Sequence, residues 1–173
     1  RLDLVLNDFV ASALVNKSID ILSDGMPWRP LIDVKDMGHA ICWALSRTKI
    51  NDRAAINGQP YLCVNVGRND HNYQVYQLAE AVADIIPNTE VKVNTEAAPD
   101  NRSYKVDFSL YERLAPDFLP KNNLEQSIRE LAEGMESIAF SCQDFRSSEF
   151  IRLNMLSNLQ QSGRLSPDLY WVN

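Results

Sequence analysis

Apolar positions along the chain switch repeatedly between a helical spacing and a strand-like alternation. Val5, Leu6, Phe9, Val10, Ala13 and Leu14 fall at helical spacing, which predicts a helix over 3–16. Ile19 and Ile21 alternate with polar neighbours as a half-buried strand does, and Ser23-Asp24-Gly25 is turn chemistry. Residues 30–34 (Pro-Leu-Ile-Asp-Val) predict a short strand, and Asp36 the N-cap of a helix with the stripe Met37, Ala40, Ile41, Ala44 and Leu45. A polar loop over 49–60 leads to 61–66 (Tyr-Leu-Cys-Val-Asn-Val), an almost continuously apolar run that predicts a strand buried on both faces, as in a parallel sheet. Asn72 is placed to cap a helix bearing Val75, Leu78, Ala79, Val82 and Ile86, which Pro87 stops. Val91 and Val93 mark another strand, 103–106 a further short one, and 107–114 a helical turn. Asn123 caps a helix with Leu124, Ile128, Leu131 and Met135, and a last helix over 148–161 precedes a tail with Tyr170 and Trp171.

Composition narrows the possibilities. With 173 residues the chain can form one domain with a sizeable core, or half of a larger protein. Its 45% hydrophobic and 23% charged content is that of an ordinary soluble globular protein. A net charge of −6 argues against a nucleic-acid partner, since it leaves no basic face to neutralise phosphates in bulk. A nucleotide-sized anion needs only about two or three well-placed cations, so acidity does not exclude that ligand. No apolar run approaches the ~20 residues of a membrane span, and no signal peptide opens the chain. Cys42, Cys63 and Cys142 are odd in number and widely spaced, and they read as reduced, mostly buried thiols of a cytoplasmic protein with no metal-site pairing. Arg1 enters structured sequence at once with no methionine before it, as though something upstream is missing.

The most informative stretch is 24–36 (DGMPWRPLIDVKD): a glycine turn, the arginine Arg29, a short apolar strand and an acidic helix start. In that order it resembles the extended short-chain dehydrogenase/reductases that act on nucleotide sugars. The resemblance covers most of residues 1–137 and implies an α/β fold, with this chain as the C-terminal, substrate-binding part. It implies that Arg29 binds the substrate's pyrophosphate, a role suited to a guanidinium fork that offers parallel donors to two phosphate oxygens. Residues 4–7 (Leu-Val-Leu-Asn) are similar to the point where the family's chain leaves its nucleotide-binding domain, which makes Asn7 a substrate contact or else an ordinary helix-surface amide. Residues 64–67 (Asn-Val-Gly after Val64) look like a strand end beside the substrate pocket. Residues 98–104 occupy the place of the family's Arg-Pro-Gly-Asp and Arg-x-Tyr motifs, but Ala97 stands where the arginine belongs and Pro99 where the glycine belongs. Arg102 is then the candidate second phosphate contact, and Asp100 a candidate partner for a ribose hydroxyl.

What is missing shapes the reading equally. No G-x-x-G-x-x-G follows a strand, and no tyrosine is followed four residues on by lysine, so neither the cofactor cradle nor the family's catalytic pair is present. His39 and His71 have no nucleophile motif beside them, and catalytic, cofactor-binding and metal residues are assigned to none. The resemblance implies that 1–35 and 67–140 form the substrate domain, that 36–66 supply a helix and a strand to a Rossmann sheet, and that 141–173 form a C-terminal helix and tail. It further implies NAD or NADP in the full-length parent and none on this chain alone. The implied partners are a nucleoside-diphosphate sugar, the missing N-terminal Rossmann half and, in the parent, a second subunit. Without that half, the strand over 61–66 is expected to drive self-association. The alternative is a non-catalytic sugar-nucleotide-binding or interaction module.

Overall fold

Helix α1 (Val5–Asn16) combines the large residues Leu6, Phe9 and Val10 with the small Ala11, Ser12 and Ala13 on its buried side. The small residues let α3 (Val75–Ile85) and α5 (Leu124–Ser137) come close, and Leu78, Ala79, Val82 and Ile128 complete the first core against them. These elements belong to a computed structural model that describes residues 1–47, 62–97 and 102–172. Lys17 ends α1 in the left-handed region, at φ 53°, and turns the chain directly into β1 (Ser18–Ile21). β1 pairs in parallel with β4 (Glu90–Val93), Ile19 opposite Val91 and Ile21 opposite Val93. Both isoleucines are buried and Asp20 is exposed, the two-residue period that the sequence predicts.

The second ladder is antiparallel, β2 (Trp28–Pro30) with β3 (Asn72–Gln74), and sets Arg29 opposite Tyr73. It lies earlier than the predicted strand over 30–34. Pro30 has no N–H to extend the ladder, and past it only the Leu31 N–H still reaches His71 O, at 3.0 Å. Helix α2 (Val34–Ser46) likewise starts earlier than expected. Its N-cap is Asp33, whose carboxylate accepts from the Lys35 N–H at 2.8 Å, and not Asp36. Asp36 sits inside the first turn, buried, and accepts the N–H groups of Lys121 and Asn122 at 3.0 and 3.1 Å. Asn72 is not a cap either. Its side chain accepts from the Val106 N–H at 2.9 Å and donates to Val106 O at 3.1 Å, while Gln74 and Gln77 cap α3 reciprocally. Residues 103–106 belong to neither ladder, so the strand predicted there is an extended arm held by these contacts and by Tyr104 N–H on Trp28 O.

A second, smaller core joins α2 to α4 (Ser109–Leu114) and the turn after it. Ala40, Trp43, Tyr111 and Ala115 are buried there, Trp43 meets Tyr111 edge-on at 5.3 Å, and the Tyr111 hydroxyl donates to Phe118 O at 2.8 Å. Leu62, Val64 and Val66 pack half-buried against this core while Cys63 and Asn65 are exposed. The segment therefore alternates instead of burying both faces, and among the described residues it has no ladder partner. Gly67 follows because nothing larger fits: a Cβ there would lie 2.5 Å from the Phe108 ring. The cysteines depart from expectation as well. Cys42 and Cys63 are exposed and Cys142 is intermediate, since each falls on the outer side of its segment. The other side of α2 is bare: Val34, Met37, Ile41 and Leu45 are 76, 47, 56 and 80% exposed.

Candidate functional site

A cleft of about 1330 Å³ opens between the first turn of α1, the end of β2, β3, the 102–104 arm and the start of α5. Three of the four residues singled out in the sequence, Asn7, Arg29 and Arg102, line it; the fourth, Asp100, lies outside the described residues. Asn7 Nδ2 donates to Arg1 O at 2.8 Å, which holds the amide at the cleft wall. Arg29 Nη1 donates to Trp28 O at 2.8 Å and also to Arg102 O, so the two arginines are neighbours although they are 73 positions apart. The Arg29 guanidinium carbon lies 6.0 Å from the centre of the Tyr104 ring, which also lines the cleft. β2 therefore presents an arginine whose fork is fixed by carbonyls and backed by an aromatic face. Two guanidinium groups in one cleft suit a diphosphate, whose oxygens accept parallel donors.

Asp33 also faces this space, but its carboxylate is committed to α2: one oxygen accepts the Lys35 N–H and the other the Ser127 hydroxyl at 3.0 Å. Three cleft residues carry no local sequence signal. Tyr73 stands opposite Arg29 in the ladder, Arg146 arrives from beyond α5, and His71 is buried at the cleft floor at 7% exposure. The His71 ring stacks near Tyr73 with centres 6.2 Å apart, and Asp70 Oδ1 is 4.0 Å from its Nε2. Burial pushes the His71 pKa below its ordinary 6.5, aided by Arg68 and opposed by Asp70 and Asp36.

That shift has a sign in stability. A histidine whose folded pKa is lowered binds fewer protons folded than unfolded, so protonation favours unfolding. The stability it withholds is absent above the ordinary value of 6.5 and is felt as pH falls below it, at no more than about 1.4 kcal/mol per pH unit. Urea unfolding at pH 7.5 and 5.5 is expected to show a smaller acid loss in His71→Gln than in the unmodified chain. Equal losses would show that His71 titrates as freely as in the unfolded state.

Residues 2–57, which include Asn7 and Arg29 but not Arg102, match the family described as "NAD dependent epimerase/dehydratase family". No curated protein sequence matches this chain. Solved structures share the fold of this chain at low identity. One is RMD from Pseudomonas aeruginosa complexed with NADPH, 20% identical, with a TM-score of 0.59 over 80% of this chain and 44% of that one. Another is TunA, an NAD-dependent NDP-hexosamine 5,6-dehydratase involved in tunicamycin biosynthesis, 18% identical, with a TM-score of 0.56 over 79% of this chain and 41% of that one. A third is a GDP-6-OMe-4-keto-L-xylo-heptose reductase from C. jejuni, 19% identical, with a TM-score of 0.60 over 78% of this chain and 47% of that one. The chain spans less than half the length of each. The expected α/β fold and the family resemblance therefore hold. Among the described residues no helix is long and apolar enough to cross a membrane.

Proposed function

We propose that this chain is the nucleotide-sugar-binding portion of an NAD(P)-dependent nucleoside-diphosphate-sugar epimerase or dehydratase. The observation that carries the proposal is the meeting of Asn7, Arg29 and Arg102 around one cleft from three separate parts of the chain. Arg29 grips the pyrophosphate, with Arg102 beside it as the second cation and Asn7 as a contact at the opposite wall. Asp100 remains the candidate for a ribose hydroxyl. Contacts made far from the reacting carbon hold that carbon in place, which converts binding into orientation. The bound NAD or NADP supplies hydride transfer, and its cradle lies outside this chain. In the parent this reading divides the chain into a substrate domain, 1–35 and 67–140, and a helix-and-strand segment, 36–66, that joins the Rossmann sheet. The exposed apolar stripe on α2 fits that role, because a helix facing water on both sides would not carry it. The parent is cytoplasmic and homodimeric on the same reading.

Calorimetry with UDP-, dTDP- and GDP-sugars tests the assignment. Arg29→Lys keeps the charge but loses the fork, and is expected to weaken binding by about 1.5–3 kcal/mol, roughly ten- to 150-fold. An unchanged dissociation constant would remove Arg29 from the phosphate site.

A further inference from the structure

The first turn of α1 is the wall of the cleft that carries Asn7, and its own sequence secures it poorly. Leu4 occupies the N-cap position, and no side chain there accepts a bond from the first-turn amides. The tether comes from the far end of the chain. Arg146, 138 positions from Asp8, donates from Nε to Asp8 Oδ1 at 2.8 Å and from Nη2 to Oδ2 at 2.7 Å. The same Nη2 reaches the hydroxyl of buried Ser12, one turn further on, at 2.8 Å. One planar group thus spans two successive turns of α1.

Arg146 is itself held firmly. Its guanidinium carbon lies 5.0 Å from the centre of the Phe145 ring, and Phe145 is fully buried in the first core. Its carbonyl accepts from Asn154 Nδ2 at 3.0 Å, which ties it to α6 (Arg152–Gln161). A few residues on, Phe150 O accepts the N–H of Leu2 just ahead of α1, at 3.4 Å. The Asp8 side chain is 20% exposed and that of Arg146 45%, so solvent reaches the pair mainly from the arginine side. Arg146 and Ile151 also line the cleft beside Asn7 and Asp8.

We propose that Arg146 is a positioning residue: reaching across from the C-terminal segment, it orders the first turn of α1 and thereby fixes Asn7 at the cleft wall. Its consequence for ligand binding rests on the cleft being the nucleotide-sugar site; its ordering of α1 does not. A lysine cannot replace it, because a point charge cannot meet both Asp8 oxygens and Ser12 together.

Amide hydrogen exchange on the 173-residue chain, read alongside calorimetry with UDP- and GDP-sugars, tests both halves. In Arg146→Ala, amides of residues 8–12 are expected to exchange about tenfold faster, while those of α3 and α5 keep their rates. Arg146→Lys falls between, and the exchanged pair Asp8→Arg with Arg146→Asp regains part of the protection. Affinity for the nucleotide sugar falls about fivefold or more in Arg146→Ala and recovers with the exchanged pair. Unchanged exchange at residues 8–12, or faster exchange across α3 and α5 alike, overturns the ordering role. Loosened α1 with unchanged affinity overturns the link to the cleft. A wild-type chain that binds no nucleotide sugar would refute the proposed function and the link to ligand binding together, and the exchange data would still decide whether Arg146 orders α1.

Discussion

The purified chain is expected to self-associate, and Ile41→Glu with Leu45→Glu is expected to return it to a monomer of 19.6 kDa. Val34, Met37, Ile41 and Leu45 recur along α2 at helical spacing, and Ile41 and Leu45 are 56 and 80% exposed. A contiguous apolar stripe of this kind is a contact surface waiting for cover. In a two-fold contact every side chain counts twice. At about 1.5–3 kcal/mol for burying an Ile or Leu, each substitution removes up to about 3–6 kcal/mol, before the repulsion between the introduced carboxylates. Side chains of 62–66 are a weaker route, since Leu62, Val64 and Val66 already pack against the chain's own second core. Light scattering at several concentrations decides the matter. A wild-type chain that stays monomeric, or association that survives both glutamates, would sink the assignment of this face.

The second large effect concerns Asp36. Asp36 is 2% exposed, and its carboxylate is the acceptor for two backbone N–H groups, those of Lys121 and Asn122. Asp36→Ala leaves both donors buried without a partner, at about 1–3 kcal/mol each, so a total loss of about 2–6 kcal/mol is expected. Against a typical domain stability of about 5–15 kcal/mol, that is enough to unfold a marginal chain near body temperature. Asp36→Asn keeps one acceptor oxygen but turns an amide NH₂ toward a donor, and is expected to lose roughly half as much. Urea titration followed by tryptophan fluorescence measures both, Trp43 being on the same helix. A loss below about 1 kcal/mol for Asp36→Ala would mean that the Lys121–Asn122 turn finds other acceptors.

The long helices were legible because their own stripes dictate their burial: Leu6, Phe9 and Val10 in α1, Leu78 and Val82 in α3 and Ile128 and Met135 in α5 are buried as their spacing predicts. The α5 cap was legible too, Asn123 accepting the Gln126 N–H at 2.8 Å as expected, but the caps of α2 and α3 were not. There distant partners chose between two polar residues near the helix start. Asp36 was taken by the 121–122 turn, leaving Asp33 to cap α2, and Asn72 by Val106, leaving Gln74 to cap α3. In the site, Arg29 and Arg102 could be named from ordered motifs, and the structure brings them side by side. His71 and Arg146 could not, because a burial at a cleft floor and a bond across 138 positions leave no local pattern.

The parallel pairing of β1 with β4 has a kinetic meaning. Ser18 and Glu90 come from opposite halves of the chain, and no hairpin can bring parallel strands together. α3 and β4 are neighbours in sequence and can assemble early, as can α1 and β1. Joining the two units requires closing the long stretch between them before any ladder bond offsets the lost chain entropy. The first core, which draws Phe9, Ile19, Leu78 and Val82 from both units, is therefore expected to form in the same late step as the sheet.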